Sequence, residues 1–374
     1  MTGIRRVSQL GTTGESTYVD GSIKAVDIAA NVITQDKLST DIPLSGFRNV
    51  IINGDMRIAQ RSTSVASITS GESYRTVDRF VSAYGTTGTW TESQSTDAPP
   101  GFGNSIKFQC TTANASLSSS SYLIFGQNIE GQNIQQFAKG TSSAKPFTFS
   151  FWVKAFQTGT YVAELYDNTN SRQVTRTFTI NASATWEYKT IQFPADTTGA
   201  FANSNANALS LFFWLVAGTT FTSGSSGSWA SASNGNRAAG LTVNGASSTS
   251  NYFQFTGLQL EQNYQPTPFE QRPIGTELAL CQRYYFYSNF DTGTGNNFAD
   301  GYNITGGYIT QWINFPQTMR MRPTSVVLNI GSVSNTTTFA ATAVSPSYIQ
   351  LYGGVVSTGR GYYYINNISA SAEL

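Results

Sequence analysis

The decapeptide FTFSFWVKAF, Phe147–Phe156, alternates so that Phe147, Phe149, Phe151 and Val153 point one way. A period of two suits a strand with one face on a core, because successive side chains project to opposite sides of the pleat. Comparable segments recur on both sides of it: SIKFQC, YLIFGQNI, GTYVAELYDN, TRTFTI, WEYKTIQF, ALSLFFWLVAG and NYFQFTGLQLE. In the last of these Phe253 and Phe255 share a face, and Leu258 and Leu260 follow. Gly-, Ser- and Asn-rich turns separate the segments and no long helix intervenes, which predicts an all-β chain built on an antiparallel sandwich. A jelly roll over residues 45–272 is the specific expectation. The short apolar run NVIIN (Asn49–Asn53) reads as a buried strand at its start, followed by a turn at NGD.

Composition agrees with that reading. Charged residues make up 11% of the 374 and aromatics 13%, against about 25% charged in an ordinary globular chain. Gly, Ser, Thr and Asn supply the polarity, as strands and tight turns require. The net charge is +1 with no Lys/Arg cluster, so nucleic-acid binding has no electrostatic basis. No apolar run approaches the ~20 residues of a membrane span, so no membrane insertion is expected. The opening MTGIRRVSQLGTTGES lacks an apolar segment after its arginines, which predicts folding in a cytoplasm without a secretory signal. Cys110 and Cys281 are then expected to be buried and reduced.

Residues 20–39 hold an internal repeat in which DGSIKAVDIA precedes ANVITQDKLS, aligning Ile23 with Ile33 and Ile28 with Leu38. Two large apolar side chains per ten residues cannot build a core in so thin a segment. Residues 1–44 are therefore expected to form a stalk in which Ile23, Ile28, Ile33 and Leu38 are buried between identical copies around a common axis, with a flexible tail as the alternative.

Beyond the sandwich, Pro266, Pro268 and Pro273 make a stiff exit. Residues 273–284 are expected to form a linker helix capped by Thr276, and residues 285–374 a smaller β domain with strands at YITQWINF, TSVVLNIG, SYIQLYGG and GYYYINNIS. This exit closely resembles a segment of phage virion proteins, chiefly tail fibres and related receptor-binding or head-fibre components. The matching residues are LQLE (Leu258–Glu261), PFE-x-RP with Pro268, Phe269, Glu270, Arg272 and Pro273, and E-L-x-x-C-Q-R-Y-Y from Glu277 to Tyr285. NVIINGDMRIAQR with YRTVDRF resembles the start of the same domain, PQTMRMRPT its usual C-terminal partner, and residues 20–39 fibre-shaft repeats. The resemblance implies a homotrimeric virion fibre with a carbohydrate-module-like jelly roll and no catalytic residues. A fibre that attaches to a host receptor, glycan or protein, is the leading expectation, with the N-terminus held by other virion proteins. A purely structural head-fibre, collar or decoration protein is the alternative.

Chemistry has few candidates. Without histidine the usual general base and commonest transition-metal ligand are missing. A carboxylate pair such as Asp291 with Asp300 sits among turn residues, where caps are commoner than catalysts. Asp20, Asp55, Asp78 and Asp167 could donate oxygens to a structural Ca²⁺, but no loop has fixed ligand spacing, so no cofactor or metal is expected. Glu270 and Arg272 are expected to pair and fix the exit angle as scaffold. Receptor contact is assigned to the aromatic-rich C-terminal unit through Tyr302, Tyr308, Trp312, Tyr348, Tyr352, Tyr362 and Tyr364. The competing location is the jelly roll, through Trp152, Trp229 or the Gly/Ser-rich loop Thr219–Ser250.

Overall fold

Alternating strands with one apolar face must bury it, and here they do so in pairs of facing sheets. The computed structural model describes residues 47–262, 265–290, 299–337 and 339–374. The first sheet runs β1 (Ser64–Ile68), β4 (Thr89–Ser95), β5 (Ser105–Thr112), β13 (Tyr252–Gln262), β7 (Phe147–Ala155) and β10 (Glu187–Phe193). Opposite it lie β12 (Ala230–Ser231), β9 (Arg172–Ile180), β8 (Gly159–Asp167), β11 (Asn207–Ala217), β6 (Tyr122–Glu130), β3 (Val81–Gly85) and β2 (Gly71–Tyr74). The pairings within both sheets are antiparallel. Phe147, Phe149, Phe151 and Val153 are all fully buried between them. Phe213 lies at the centre, with the rings of Phe255, Phe151 and Phe125 at 4.6, 4.8 and 4.9 Å. This is the antiparallel sandwich the alternation predicts.

Two local features explain how the segments fit. In β13 the buried set changes parity, from Phe253 and Phe255 to Leu258 and Leu260. An extra residue between Thr256 and Gln259 restores the register against β7, as a bulge does. Gly257 supplies it at φ +64°, where a Cβ would come within 2.7 Å of the Phe102 ring. The NVIIN segment is buried but is not a strand. Val50 N–H donates to Leu260 O at 3.0 Å, while the neighbouring groups use side chains: Ile51 N–H reaches Asn49 Oδ1 and Ile52 N–H reaches Gln127 Oε1. Its polar groups are satisfied without a ladder.

The loop after β11 is not open. It contains a one-turn helix, α1 (Thr219–Thr222), and folds back over the outer face of the seven-stranded sheet. Trp214 is buried there against Phe221, with ring centroids 5.0 Å apart. Its indole N–H donates to Glu164 at 2.8 Å, and Arg237 from the loop pairs with the same carboxylate at 3.0 Å.

The exit segment leads into helix α2 (Ile274–Gln282). Pro273 occupies its N-cap position and no side chain caps it, so Thr276 lies inside the first turn rather than before it. Pro is suited to a helix start because its fixed φ is compatible and the absent N–H has no partner to lose there.

Four strands then form a third sheet, in which β14 (Tyr285–Asn289), β15 (Ala299–Asn303) and β17 (Ser325–Ser334) all pair with the long β20 (Gly359–Ser371). A fourth sheet runs β16 (Tyr308–Asn314), β19 (Tyr348–Gly354) and β18 (Ala340–Ala343). The two share a core that includes Ile309, Ile313, Ile349, Leu351, Tyr363 and Ile365.

Residues 47–374 form one compact unit, and the C-terminal β sandwich is docked on the jelly roll at several points. Arg283 pairs with buried Glu130 at 2.8 Å, Arg320 donates to Asn205 O at 2.9 Å, and Tyr74 donates to Leu374 O at 3.0 Å. Arg79, fully buried with its guanidinium 3.4 Å from the Tyr284 ring, pairs with Glu373. Burial works against the Arg79 charge, yet Glu373 and the neighbouring phenols outweigh it and raise its pKa. Both cysteines are buried free thiols. The stalk positions Ile23, Ile28, Ile33 and Leu38 lie outside the described residues.

Candidate aromatic binding face

The seven aromatic residues singled out in the C-terminal unit divide between two faces, and strand register is what divides them. Along β16, Ile309 and Ile313 are buried while Tyr308 and Trp312 are 62% and 48% exposed. Along β19, Ile349 and Leu351 point inward and Tyr348, Gln350 and Tyr352 outward. The pairing sets Thr310 opposite Tyr352, Trp312 opposite Gln350 and Asn314 opposite Tyr348. Diagonal neighbours on one face of a sheet are within reach of aromatic rings, and both diagonals are occupied. Tyr308 meets Tyr352 edge-on at 6.2 Å, and Trp312 meets Tyr348 edge-on at 5.2 Å. Such geometry fixes the rings by their mutual quadrupoles. Ala340 and Thr342 of β18, opposite Tyr352 and Gln350, complete the face. Among the described residues of these strands, none on this face is charged.

Tyr302, Tyr362 and Tyr364 belong to the other sheet and so to the opposite outer face. Tyr302 is 76% exposed and stands across from Arg360. Tyr362 and Tyr364 meet edge-on at 5.5 Å. Between them Tyr363 turns inward, fully buried against Phe339, so the YYY run serves both a core and a surface. This face does carry charge: Arg360 donates to Asp300 Oδ1 at 2.8 Å, which holds the Asp300 carboxyl below its usual range. Asp291 lies outside the described residues.

The jelly-roll candidates diverge. Trp152 is half-buried on the outer face of the six-stranded sheet, 5.4 Å from the exposed ring of Tyr188. Trp229 packs at the core edge, 6.1 Å from Phe147, and donates its N–H to Pro194 O at 2.8 Å. It is a structural side chain. A cleft of about 320 Å³ opens beside the Gly/Ser loop, between Gly218, Thr219, Leu241 and Asn244. Its lining has hydroxyls and aliphatic groups but no aromatic ring.

The joint residues form a clamp. Arg272 Nε contacts Glu270 Oε1 at 2.8 Å, and its other nitrogens reach Ile51 O at 3.2 Å, Asn49 O and Glu277. Glu270 accepts a further bond from Asn49 N–H at 3.0 Å, and Gln259 in β13 accepts from Glu270 N–H at 2.8 Å. Pro268, Phe269 and Pro273 therefore carry a network that ties the first residues of the sandwich to its last strand and to α2. The Phe269 ring also meets Phe102 edge-on at 5.1 Å. Burial pushes the Glu277 carboxyl up in pKa, with Arg272 opposing.

Three of the aspartates considered for calcium face protein donors, although Asp55 Oδ1 is buried without a hydrogen-bond partner among the described residues. Asp55 pairs with Arg57, Asp78 accepts from Gln60 N–H at 2.9 Å, and Asp167 meets the buried Lys139 ammonium at 2.6 Å. Asp20 lies outside the described residues. What sequence reading missed was the covered outer face around Trp214, Glu164 and Arg237. The signal was present in ALSLFFWLVAG, whose near-continuous apolar run marks a strand buried on both sides.

No family model matches the chain, and no curated protein matches it in sequence. Among solved structures, the Bacteriophage CBA120 tailspike protein 4 enzymatically active domain is similar at 12% identity and a TM-score of 0.30, over 57% of this chain and 21% of that one. A putative sugar binding protein from Bacteroides thetaiotaomicron gives 12% identity and a TM-score of 0.30, over 58% of this chain and 100% of that one. The family 11 carbohydrate-binding module from Clostridium thermocellum gives 10% identity and a TM-score of 0.28, over 55% of this chain and 99% of that one. The jelly-roll assignment rests on the two facing antiparallel sheets themselves.

Proposed function

We propose that this chain is the subunit of a non-enzymatic, homotrimeric phage fibre that attaches a virion to a host-surface glycan. In this reading residues 1–44 trimerise and bind other virion proteins. The outer face of the three-stranded sheet contacts the receptor. The observation that carries the glycan assignment is the grouping of Tyr308, Trp312, Tyr348 and Tyr352 on one exposed, uncharged face. Apolar sugar faces stack on such rings, and hydroxyl and amide neighbours such as Thr310 and Gln350 suit the equatorial hydroxyls. The virion assignment draws its support from the LQLE…PFE-x-RP…CQRYY resemblance. Weak single sites gain strongly when three are presented together.

The test is adsorption of the purified full chain to host cells and to extracted surface polysaccharide. The doubly substituted Tyr308→Ala/Trp312→Ala chain is expected to lose binding while keeping its thermal midpoint. Undiminished adsorption by that chain would remove the site. The full chain is the right reagent, because residues 285–374 alone would lose the Arg283–Glu130 and Arg79–Glu373 contacts.

A second reading has one observation in its favour: the Trp152–Tyr188 pair on the outer face of the six-stranded sheet. Loss of adsorption in Trp152→Ala, with Tyr308→Ala/Trp312→Ala unaffected, would move the site to the jelly roll. A chain that assembles into virions but never adsorbs would instead be the purely structural component.

A further inference from the structure

Resting on the glycan reading above, the geometry points to a narrower ligand class: we infer that the three-stranded face binds a neutral glycan chain lying along the strands, and not a single terminal sugar or an acidic one. The face is built as two aromatic pairs with a polar interval. Tyr308 and Trp312 stand four residues apart on β16, and their partners Tyr352 and Tyr348 stand four apart on β19. At ~3.3 Å per residue, the pairs are separated by ~13 Å along the strands. Thr310 and Gln350 face outward in the interval, placing hydrogen-bonding groups between the two stacking positions. One pyranose ring covers one pair. A ligand that engages both must be a linked chain of roughly three or more sugars, given the ~13 Å separation.

Charge decides the second half of the inference. A carboxylated or sulfated sugar brought onto this face would meet no cation among the outward residues of its strands. The charged pair Asp300 with Arg360 belongs to the opposite sheet and is already satisfied internally. Removing an anionic group from water without a partner is unfavourable, so the face discriminates against acidic glycans. An interaction of this kind is also nearly independent of salt, because no charge is there to screen.

The test uses the full-length protein and a glycan array spanning neutral hexose, N-acetylhexosamine and uronic-acid oligomers of one to six units. Hits are followed by titration calorimetry at low and at high salt. Affinity for neutral chains is expected to rise at least tenfold between the monosaccharide and the tetrasaccharide. It should stay constant between the two salt concentrations. Replacing one pair, as Tyr308→Ala/Tyr352→Ala or as Trp312→Ala/Tyr348→Ala, should cut tetrasaccharide affinity about tenfold, the equivalent of about one aromatic stacking contact. Either variant should leave monosaccharide affinity within a factor of about two. Equal affinity for one and four units overturns the extended-chain inference, and salt-sensitive binding of uronic-acid oligomers overturns the neutral one. Both results leave the glycan reading standing. Binding to no glycan of any class removes the proposed function itself, together with this inference.

Discussion

Phe213 and Trp312 are both aromatic side chains in the middle of antiparallel strands, and they meet opposite fates. Phe213 is fully buried among five other phenylalanine rings, whereas Trp312 is 48% exposed beside a single tyrosine. The jelly roll places most of its aromatics in a core, and where its seven-stranded sheet would present Trp214 outward, a loop covers it. The C-terminal sandwich fills its core mainly with aliphatic side chains and leaves tyrosine and tryptophan uncovered on both outer faces. Aromatic abundance therefore does not locate a binding surface. What locates it is the register of the strand and whether a further layer lies over that face.

The largest expected effect tests that contrast directly. Phe213→Ala should destabilise the fold by about 3–5 kcal/mol, because the cavity left at a ring cluster cannot collapse. Trp312→Ala should change stability by less than about 1 kcal/mol while weakening glycan binding, as surface substitutions away from structural networks do. Chemical denaturation of both variants checks the pair. A Trp312→Ala cost comparable to that of Phe213→Ala would mean that the face is covered in solution.

A second experiment asks whether the exit segment is a spacer or a clamp. Arg272→Ala leaves Glu277 buried without its cation, so a loss of about 3–5 kcal/mol is expected. The loss should appear in the jelly-roll transition, since Arg272 holds Asn49 and Ile51. A denaturation midpoint unchanged from the parent chain would return the segment to the role of a passive linker.

The smallest effect concerns the covered outer face. Burial raises the Glu164 carboxyl above the ordinary glutamate value of 4.5, with Arg237 opposing. A carboxyl that is harder to ionise in the native state holds its proton more tightly there than in the unfolded chain. Its contribution to stability is thus complete below pH 4.5 and is lost as pH rises through the native value. Glu164→Gln keeps an acceptor for the Trp214 indole but removes the titration. The variant should gain on the parent chain in thermal midpoint as pH rises from 4 to 7, by a few degrees at most for an increment of about 1 kcal/mol in a domain of this size. A variant that loses ground over that interval would show that the Arg237–Glu164 pair outweighs its desolvation.

Much of the fold was legible in the chain. Alternation in FTFSFWVKAF and NYFQFTGLQLE fixed which side chains enter the core, because the period of a strand is local geometry. The helix after the prolines was also legible, although Pro273 rather than Thr276 stands at its start. NVIIN was misread as a strand for a related reason: its hydrogen-bond partners Gln127, Leu260 and Glu270 lie far away in sequence, so no local pattern records them. The same holds for Arg272, whose partner Glu270 is two positions away while its partners Asn49 and Ile51 are more than two hundred residues distant.

By itself, the sequence determined that the chain is all-β, that its strands have one apolar face, and that tyrosine concentrates toward the C-terminus. These are consequences of composition and of a two-residue period, both of which are properties of short stretches. Only the tertiary structure decided that Tyr308, Trp312, Tyr348 and Tyr352 share one face and that Tyr302, Tyr362 and Tyr364 occupy another. It also decided that a loop withdraws Trp214 from solvent and that Trp229 packs half-buried at the core edge. Which residues become neighbours across strands depends on register and on covering loops, and both are set by contacts between segments that the linear sequence keeps apart.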